Sequence, residues 1–343
     1  MLDALDQVGR QLREQQQKPV GQPFFSDPRY EPFAFAQERF IPLEGECRFL
    51  AAVDGGNQEL IGGASLSLQL VRAYANVFES PRKGDAQSLP KRVHQEKHEF
   101  LCLTQAVDGT QFESTLLPLE GGLLQEEGVL KMAASDVPDS DERTKAAQIG
   151  ALTRRFAEWA LAGRMLGQFD DIAVVKDGTL QTSVRRESFY AKRAQEQVKT
   201  GKYLAALSKT STLLTTTGWA MTDAVEKKAP KNRPQWAYAW LCQSRHPDHP
   251  ARIGCAKLHA AARQAFRVEG FLGHEGLPWA TLAKQACDPA FLGYPYALVD
   301  ADRNAKVSNK EAASVKGLVQ AKLGGRLNDL SRHTDAHAWL SKL

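Results

Sequence analysis

The 343-residue chain has no apolar run near the roughly 18 residues needed to cross a bilayer, so no membrane-spanning helix is expected. It has no CxxC pair. Its five cysteines, Cys47, Cys102, Cys242, Cys255 and Cys287, are scattered and odd in number, which argues against a disulfide framework and for free thiols in a reducing cytoplasm. Neither a GxxxxGK[ST] loop nor a GxGxxG turn occurs, so no ATP or dinucleotide site is expected and a partner would have to supply any energy used. The first residues, "MLDALDQVGRQLREQQQK", lack the apolar core of a secretory signal. Internal repeats and low-complexity tracts are also missing.

What remains is ordinary for a globular protein: 43% hydrophobic and 24% charged residues, in a chain long enough to bury a substantial core. Net charge is only +4, but residues 181–235 carry eleven Lys/Arg against four acids. An excess of that size can draw a polyanion such as nucleic acid, or can be a solvated basic face.

Periodicity predicts an amphipathic helix over 1–17, with Leu2, Leu5, Val8 and Leu12 on one side. Residues 18–46 are rich in Pro and aromatics and read as an extended connection, so 1–46 is set apart from a main domain at 47–343. Strands are expected at 48–53, 63–77, 98–106, 172–178, 235–243 and 253–260. In "QWAYAWLCQ", alternation would place Trp236, Tyr238 and Trp240 on one face. A loop at 133–143 leads into a helix beginning near 142, striped by Ile149, Leu152, Phe156, Trp159 and Leu166. Gly163 falls in that stripe and would let another backbone come close. Further helices are expected at 277–288, 308–323 and 326–341. The order suggests an α/β or α+β fold with a mixed sheet.

Three acids interrupt apolar runs. In "FLAAVDGGNQ" (49–58), Asp54 ends what reads as a buried strand and is followed by two glycines. A carboxylate is costly to bury unless it is paired or binds a metal, and strand ends are where ligand sites of α/β folds gather. The alternative is a turn aspartate. Asp177 repeats the device in "IAVVKDGTL", where the alternative is a hairpin turn. Glu158 lies at the border of the helical stripe, with an i,i+4 pair to Arg154 as its competing role. Together the three would make an all-oxygen set suited to Mg²⁺ or Mn²⁺, and two such ions serve phosphodiester hydrolysis. A His/Cys group, His246, His249, Cys255 and His259, fits no established zinc spacing. His333 and His337 lack the intervening Glu of HExxH and read as surface residues.

At these residues the sequence resembles the NurA nuclease family, partner of the HerA hexameric DNA translocase in end resection. The matches follow the family's order: "AAVDGGN" (51–57), "RRFAEWALA" (154–162), "VVKDGTL" (174–180), "ALSKTSTL" (206–213) and "GYPYALVDADR" (293–303). The resemblance implies an α/β, RNase H-like (PIWI-like) fold: a mixed β-sheet flanked by helices, with an N-terminal helix. It implies a Mn²⁺-dependent nuclease, with Mg²⁺ as the alternative ion, that forms a homodimer and acts 5′→3′ on DNA ends with a HerA-like ATPase. It assigns metal binding to Asp54, Glu158 and Asp177, and a site tyrosine to Tyr294. Where the family has a histidine, this chain has Asp302, which can bind metal or accept a proton but cannot donate one as imidazolium does. Lys209 would meet a phosphate as a point charge. Two other readings remain open: a catalytically weak DNA-binding clamp subunit, and an RNase H-like enzyme acting on RNA or hybrid.

Overall fold

A computed structural model describes residues 2–80, 90–124, 128–137, 145–272 and 276–323. Twelve strands form one mixed, mostly antiparallel sheet: β1 (Tyr30–Pro32), β2 (Phe40–Ile41), β3 (Phe49–Gly62), β4 (Leu66–Glu79), β5 (Lys91–Ala106), β6 (Gln111–Glu120), β7 (Val129–Ala133), β8 (Ile172–Asp177), β9 (Lys202–Ser208), β10 (Trp236–Ser244), β11 (Ala251–Lys257) and β12 (Phe266–Phe271). Their order is β1-β10-β11-β12-β9-β8-β3-β4-β5-β6-β7, with β2 also on β10. Only the central β3–β8 and β8–β9 pairs are parallel. Among the described residues seven α-helices accompany them: α1 (Leu2–Gln17), α2 (Lys145–Gln168), α3 (Arg185–Gln195), α4 (Met221–Lys228), α5 (Trp279–Lys284), α6 (Tyr296–Ala305) and α7 (Asn309–Leu323).

Strand alternation splits the centre of the sheet into two apolar faces. Ala51, Val53, Ile172, Val174, Leu204 and Ala206 face α2 and α3. Leu50, Ala52, Ala173, Val175, Ala205 and Leu207 face α5 and α6. On the first face, the α2 stripe buries Ile149, Phe156, Trp159 and Leu166, and Leu152 is partly buried. A Cβ added at Gly163 would lie 3.2 Å from the Ala194 Cα of α3, so this glycine does admit a close backbone. Beyond the second face, α7 lays Ala312, Val315 and Val319 over Leu60, Ile61, Leu68 and Leu70. Its start is held by a reciprocal cap: Ser308 N donates to Glu311 Oε2 (2.8 Å), and Glu311 N donates to Ser308 Oγ (3.2 Å).

Several expectations need correction. The strand expected to stop at 53 runs on to Gly62, because β4 pairs with it residue by residue through Asp54↔Tyr74 and Gly56↔Arg72. The strand expected at 98–106 begins at Lys91, and the helix expected at 277–288 shrinks to α5. Trp240 does not share a face with Trp236 and Tyr238. The β10–β11 register shifts between Tyr238 and Cys242, and Trp240 adopts φ 63°. Trp236 and Tyr238 pack with Phe40, whereas Trp240 meets Trp279 of α5. Residues 18–46 are not wholly irregular, since β1 and β2 pair with β10. The helix start near 142 falls partly outside the described residues, and the 326–341 helix with His333 and His337 falls wholly outside them. Strands β9 and β12, and helices α3, α4 and α6, carry no clear periodic signal of their own. The strands lie inside the sheet, and the helices are short or studded with charge.

Among the described residues the tightest approach of a glycine to another backbone is at Gly56, where a Cβ would lie 2.3 Å from the Ala305 carbonyl at the end of α6. Gly56→Ala is therefore expected to destabilise the fold by about 1–3 kcal/mol through overpacking. Gly317→Ala, mid-helix in α7 with nothing within 4 Å of its Cβ, is expected to stabilise by about 0.5–1 kcal/mol. Urea denaturation of both variants checks the pair.

Candidate metal centre

The parallel register puts Val53 beside Lys176, so β8 ends just where β3 reaches Asp54. Asp54 follows Leu50 and Ala52 on the α6 face of the sheet, and Asp177 follows Ala173 and Val175 on the same face. Helix α6 crosses above them and brings Asp302. One carboxylate oxygen from each of Asp54, Asp177 and Asp302 lies within 4.8 Å of the others. Asp177 is not a hairpin residue: β8 is parallel to both neighbours, and Gly178, at φ 93°, turns the chain away from the strand end.

The cluster contains one internal cation. Lys209, just past the end of β9, donates from Nζ to Asp177 Oδ2 and to Asp302 Oδ1, each at 2.7 Å. Burial opposes its charge, but the two carboxylates outweigh that and raise its pKa. Tyr294, fully buried, donates its hydroxyl to Asp177 Oδ1 at 2.9 Å. Burial first and the Asp177 carboxylate next push its phenol far upward, so it stays a neutral donor. Asp54 has no cation of its own among the described residues. It accepts the Gly55 N–H (2.7 Å), while burial first and then the carboxylates of Glu158, Asp177 and Asp302 push its pKa up to about 7.

Glu158 occupies a different position from the three aspartates. It rises from α2 on the opposite face of the sheet, over Gly55, where an added Cβ would sit 2.7 Å from its Oε1. It is buried and twice paired, with Arg154 at i,i+4 and with Lys176 Nζ at 2.8 Å. Burial pushes its carboxyl up, but Lys176 and Arg154 outweigh it and the net shift is downward. The Arg154 pair weighed as its competing role is therefore present, and Glu158 is not among the carboxylates within 4.8 Å. Its charge still reaches Asp54.

Three carboxyl groups against one ammonium leave the cluster short of positive charge. The donors are all hard oxygens. Both facts fit Mg²⁺ or Mn²⁺ better than a thiolate- or imidazole-seeking ion. The His/Cys group is dispersed instead. Buried His249 hydrogen-bonds Tyr30 and Glu269, and Cys255 lies in the separate Phe40 core. Several bases of the segment 181–235 are engaged locally. Lys202 pairs with Asp170, Arg233 donates to the Phe40 carbonyl, and Lys227 lies over Trp219.

Sequence reasoning missed the role of Lys176, although a lysine inside the apolar run "IAVVKD" was a visible anomaly. It also missed Glu269, whose Oε2 accepts the Leu180 N–H at 2.7 Å and anchors the segment after Asp177. No local signal connects that glutamate with that amide.

No protein-family model matches the chain, and no curated protein matches it in sequence. Its fold is similar to that of the NurA nuclease from Sulfolobus solfataricus, at 14% identity and TM-score 0.50, over 93% of each chain. Endonuclease V of Ciona intestinalis, solved with a 24mer DNA containing an inosine followed by a ribo-adenosine, matches at 10% identity and TM-score 0.36, over 92% of this chain and 100% of that one. The catalytic domain of human endonuclease V matches at 11% identity and TM-score 0.36, over 94% and 98%. The likeness to NurA shows a NurA-like fold.

Asp54→Asn and Asp177→Asn are each expected to weaken Mn²⁺ binding by more than about 100-fold, beyond the loss typical of residues behind a metal ligand. They should differ without metal. Asp54→Asn removes a repelled charge and should raise the melting temperature. Asp177→Asn removes a partner of Lys209 and should not. Titration calorimetry and metal-free melting curves read the two effects separately.

Proposed function

We propose that the chain is a divalent-metal-dependent DNA nuclease of RNase H-like (PIWI-like) class, using Mn²⁺ or Mg²⁺. The observation that carries this reading is the convergence of Asp54, Asp177 and Asp302 within 4.8 Å at the end of a parallel strand. A set of oxygen donors with excess negative charge is what phosphodiester hydrolysis with divalent ions requires. Asp54, Asp177 and Asp302 would hold the ion, with Glu158 adding charge from the far face. When bound, such an ion supplies Lewis-acid stabilisation of charge on phosphoryl oxygens and lowers the pKa of water.

The remaining work falls to this chain's own groups. Tyr294 fixes the orientation of Asp177 through its hydroxyl, leaving Oδ2 to face Lys209. Lys209 is the cation placed to exchange a carboxylate for a phosphate oxygen. Asp302, more than half exposed, can accept a proton from water at the site's open side. No imidazole stands at its position, so protonation of the leaving oxygen falls to solvent.

By resemblance, the enzyme would be an exonuclease, 5′→3′, with single-strand endonuclease activity. It would work in the cytoplasm as a homodimer with a HerA-like hexameric ATPase, in DNA end resection and double-strand break repair. The clamp-subunit reading draws support from Lys209, which already bridges two of the three aspartates and would have to yield to an ion.

Cleavage of linear single- and double-stranded DNA, RNA and hybrid is expected to stop on chelation and return with Mn²⁺ or Mg²⁺, with DNA preferred. Restoration by Zn²⁺ alone would overturn the ligand assignment, and stimulation of the ATPase without any cleavage would favour the clamp. A second expectation concerns α1. Leu5, Val8 and Leu12 are 50–61% exposed, and Gln15 donates to the Gly218 carbonyl at 3.3 Å. Deleting residues 1–17 should therefore move the melting temperature by no more than about 2 °C. Pull-down of the ATPase should be lost; retained binding with a large drop in melting temperature would contradict the docking role.

A further inference from the structure

Two rings that touch Tyr294, Phe266 and Phe291, also line an open cleft of about 380 Å³, together with Ala261, Arg263, Gln264 and Pro289. That volume falls within the roughly 300–1,000 Å³ of small-ligand pockets. Phe291 is 40% exposed, although it belongs to an aromatic cluster whose other members, Phe266 and Tyr294, are buried. Its ring stands nearly perpendicular to Tyr294, with centroids 5.3 Å apart, and lies 6.0 Å from Phe266. The ring is thus held by its neighbours yet open to the cleft, as a stacking platform must be. Arg263 makes no ion pair among the described residues. Gln264 reaches the Lys209 carbonyl at 3.5 Å, which joins the cleft to the residue bridging Asp177 and Asp302.

We infer that this cleft holds one unpaired nucleobase of a DNA strand, stacked on Phe291, with Arg263 meeting an adjoining phosphate. The inference rests on the nuclease reading and specifies the substrate form: a single strand at the point of cleavage. A phosphate at the three aspartates places its neighbouring nucleotide near Tyr294, one ring away from Phe291. A paired base is already stacked and hydrogen-bonded in its duplex and cannot enter. Every base has a π-face, so the pocket accepts sequence without strong preference. The amide of Gln264, both donor and acceptor, can meet a base edge.

The test uses the full chain without divalent ions, so binding is read apart from cleavage. Short fluorescent single strands, intact or with one abasic position moved stepwise, are titrated into wild type, Phe291→Ala and Phe291→Trp. Phe291→Ala should weaken binding of the intact strand by about 10-fold or more, and Phe291→Trp should restore it. One abasic position should cost wild type a similar factor and cost Phe291→Ala almost nothing further, because the two changes remove one contact. Melting curves show that each variant is folded. Equal affinity of Phe291→Ala and wild type, or additive losses at every abasic position, would overturn the pocket. Wild-type cleavage with Mn²⁺ is scored separately. A protein that shows the Phe291–abasic coupling but cuts nothing would keep the pocket and lose the nuclease reading.

Discussion

Like charges resist being brought together, and the centre of this molecule is arranged around that resistance. Asp54, Asp177 and Asp302 meet where water is partly excluded, and burial first, with the neighbouring carboxylates next, pushes the Asp54 pKa up to about 7. Lys209 relieves part of the repulsion by bridging two of the three, and the Tyr294 hydroxyl relieves a further part at Asp177. In the proposed reading, the deficit of positive charge that remains is what a divalent ion would fill.

The central sheet makes this crowding possible and also limits it. Lys176 and Asp177 are consecutive, so their side chains leave opposite faces of β8. The lysine goes to Glu158 under α2, and the aspartate goes to Lys209 and Tyr294 under α6. Two charged groups are thereby separated by the thickness of one strand. Each is balanced on its own side, but Glu158 is near enough to raise Asp54. The two glycines after Asp54 thin the sheet at this point. Gly55 admits Glu158 and Arg154 from one side, and Gly56 admits the end of α6 from the other. Any side chain there would push apart the elements that carry Glu158 and Asp302. The glycines serve close approach on both faces rather than a turn, because β3 continues through them.

Much of the site was legible because burial of charge is an anomaly that shows in the sequence itself. Asp54 and Asp177 each close an apolar run, and Glu158 interrupts a helical stripe. Local pattern alone could not tell which of these acids face one another. Glu158 looked equivalent to the aspartates, yet it lies across the sheet and is neutralised by Arg154 and Lys176. Trp240 shows the same limit in the fold. Simple alternation placed it with Trp236 and Tyr238, and a register shift sent it to the other face.

By itself the sequence determined the mixed strand-and-helix content, the long α2 stripe, the presence of carboxylates at the ends of apolar runs and the close backbone admitted at Gly163. These follow from side-chain volume, periodicity and the cost of burying charge, all local properties. Only the tertiary structure decided that β8 and β9 run parallel to β3, that α6 lies over their ends, and that Lys209 and Asp302, 93 residues apart, share a hydrogen bond. Those outcomes depend on which strands pair and on which face each helix returns to, and the energy of such long-range contacts is written in no single segment.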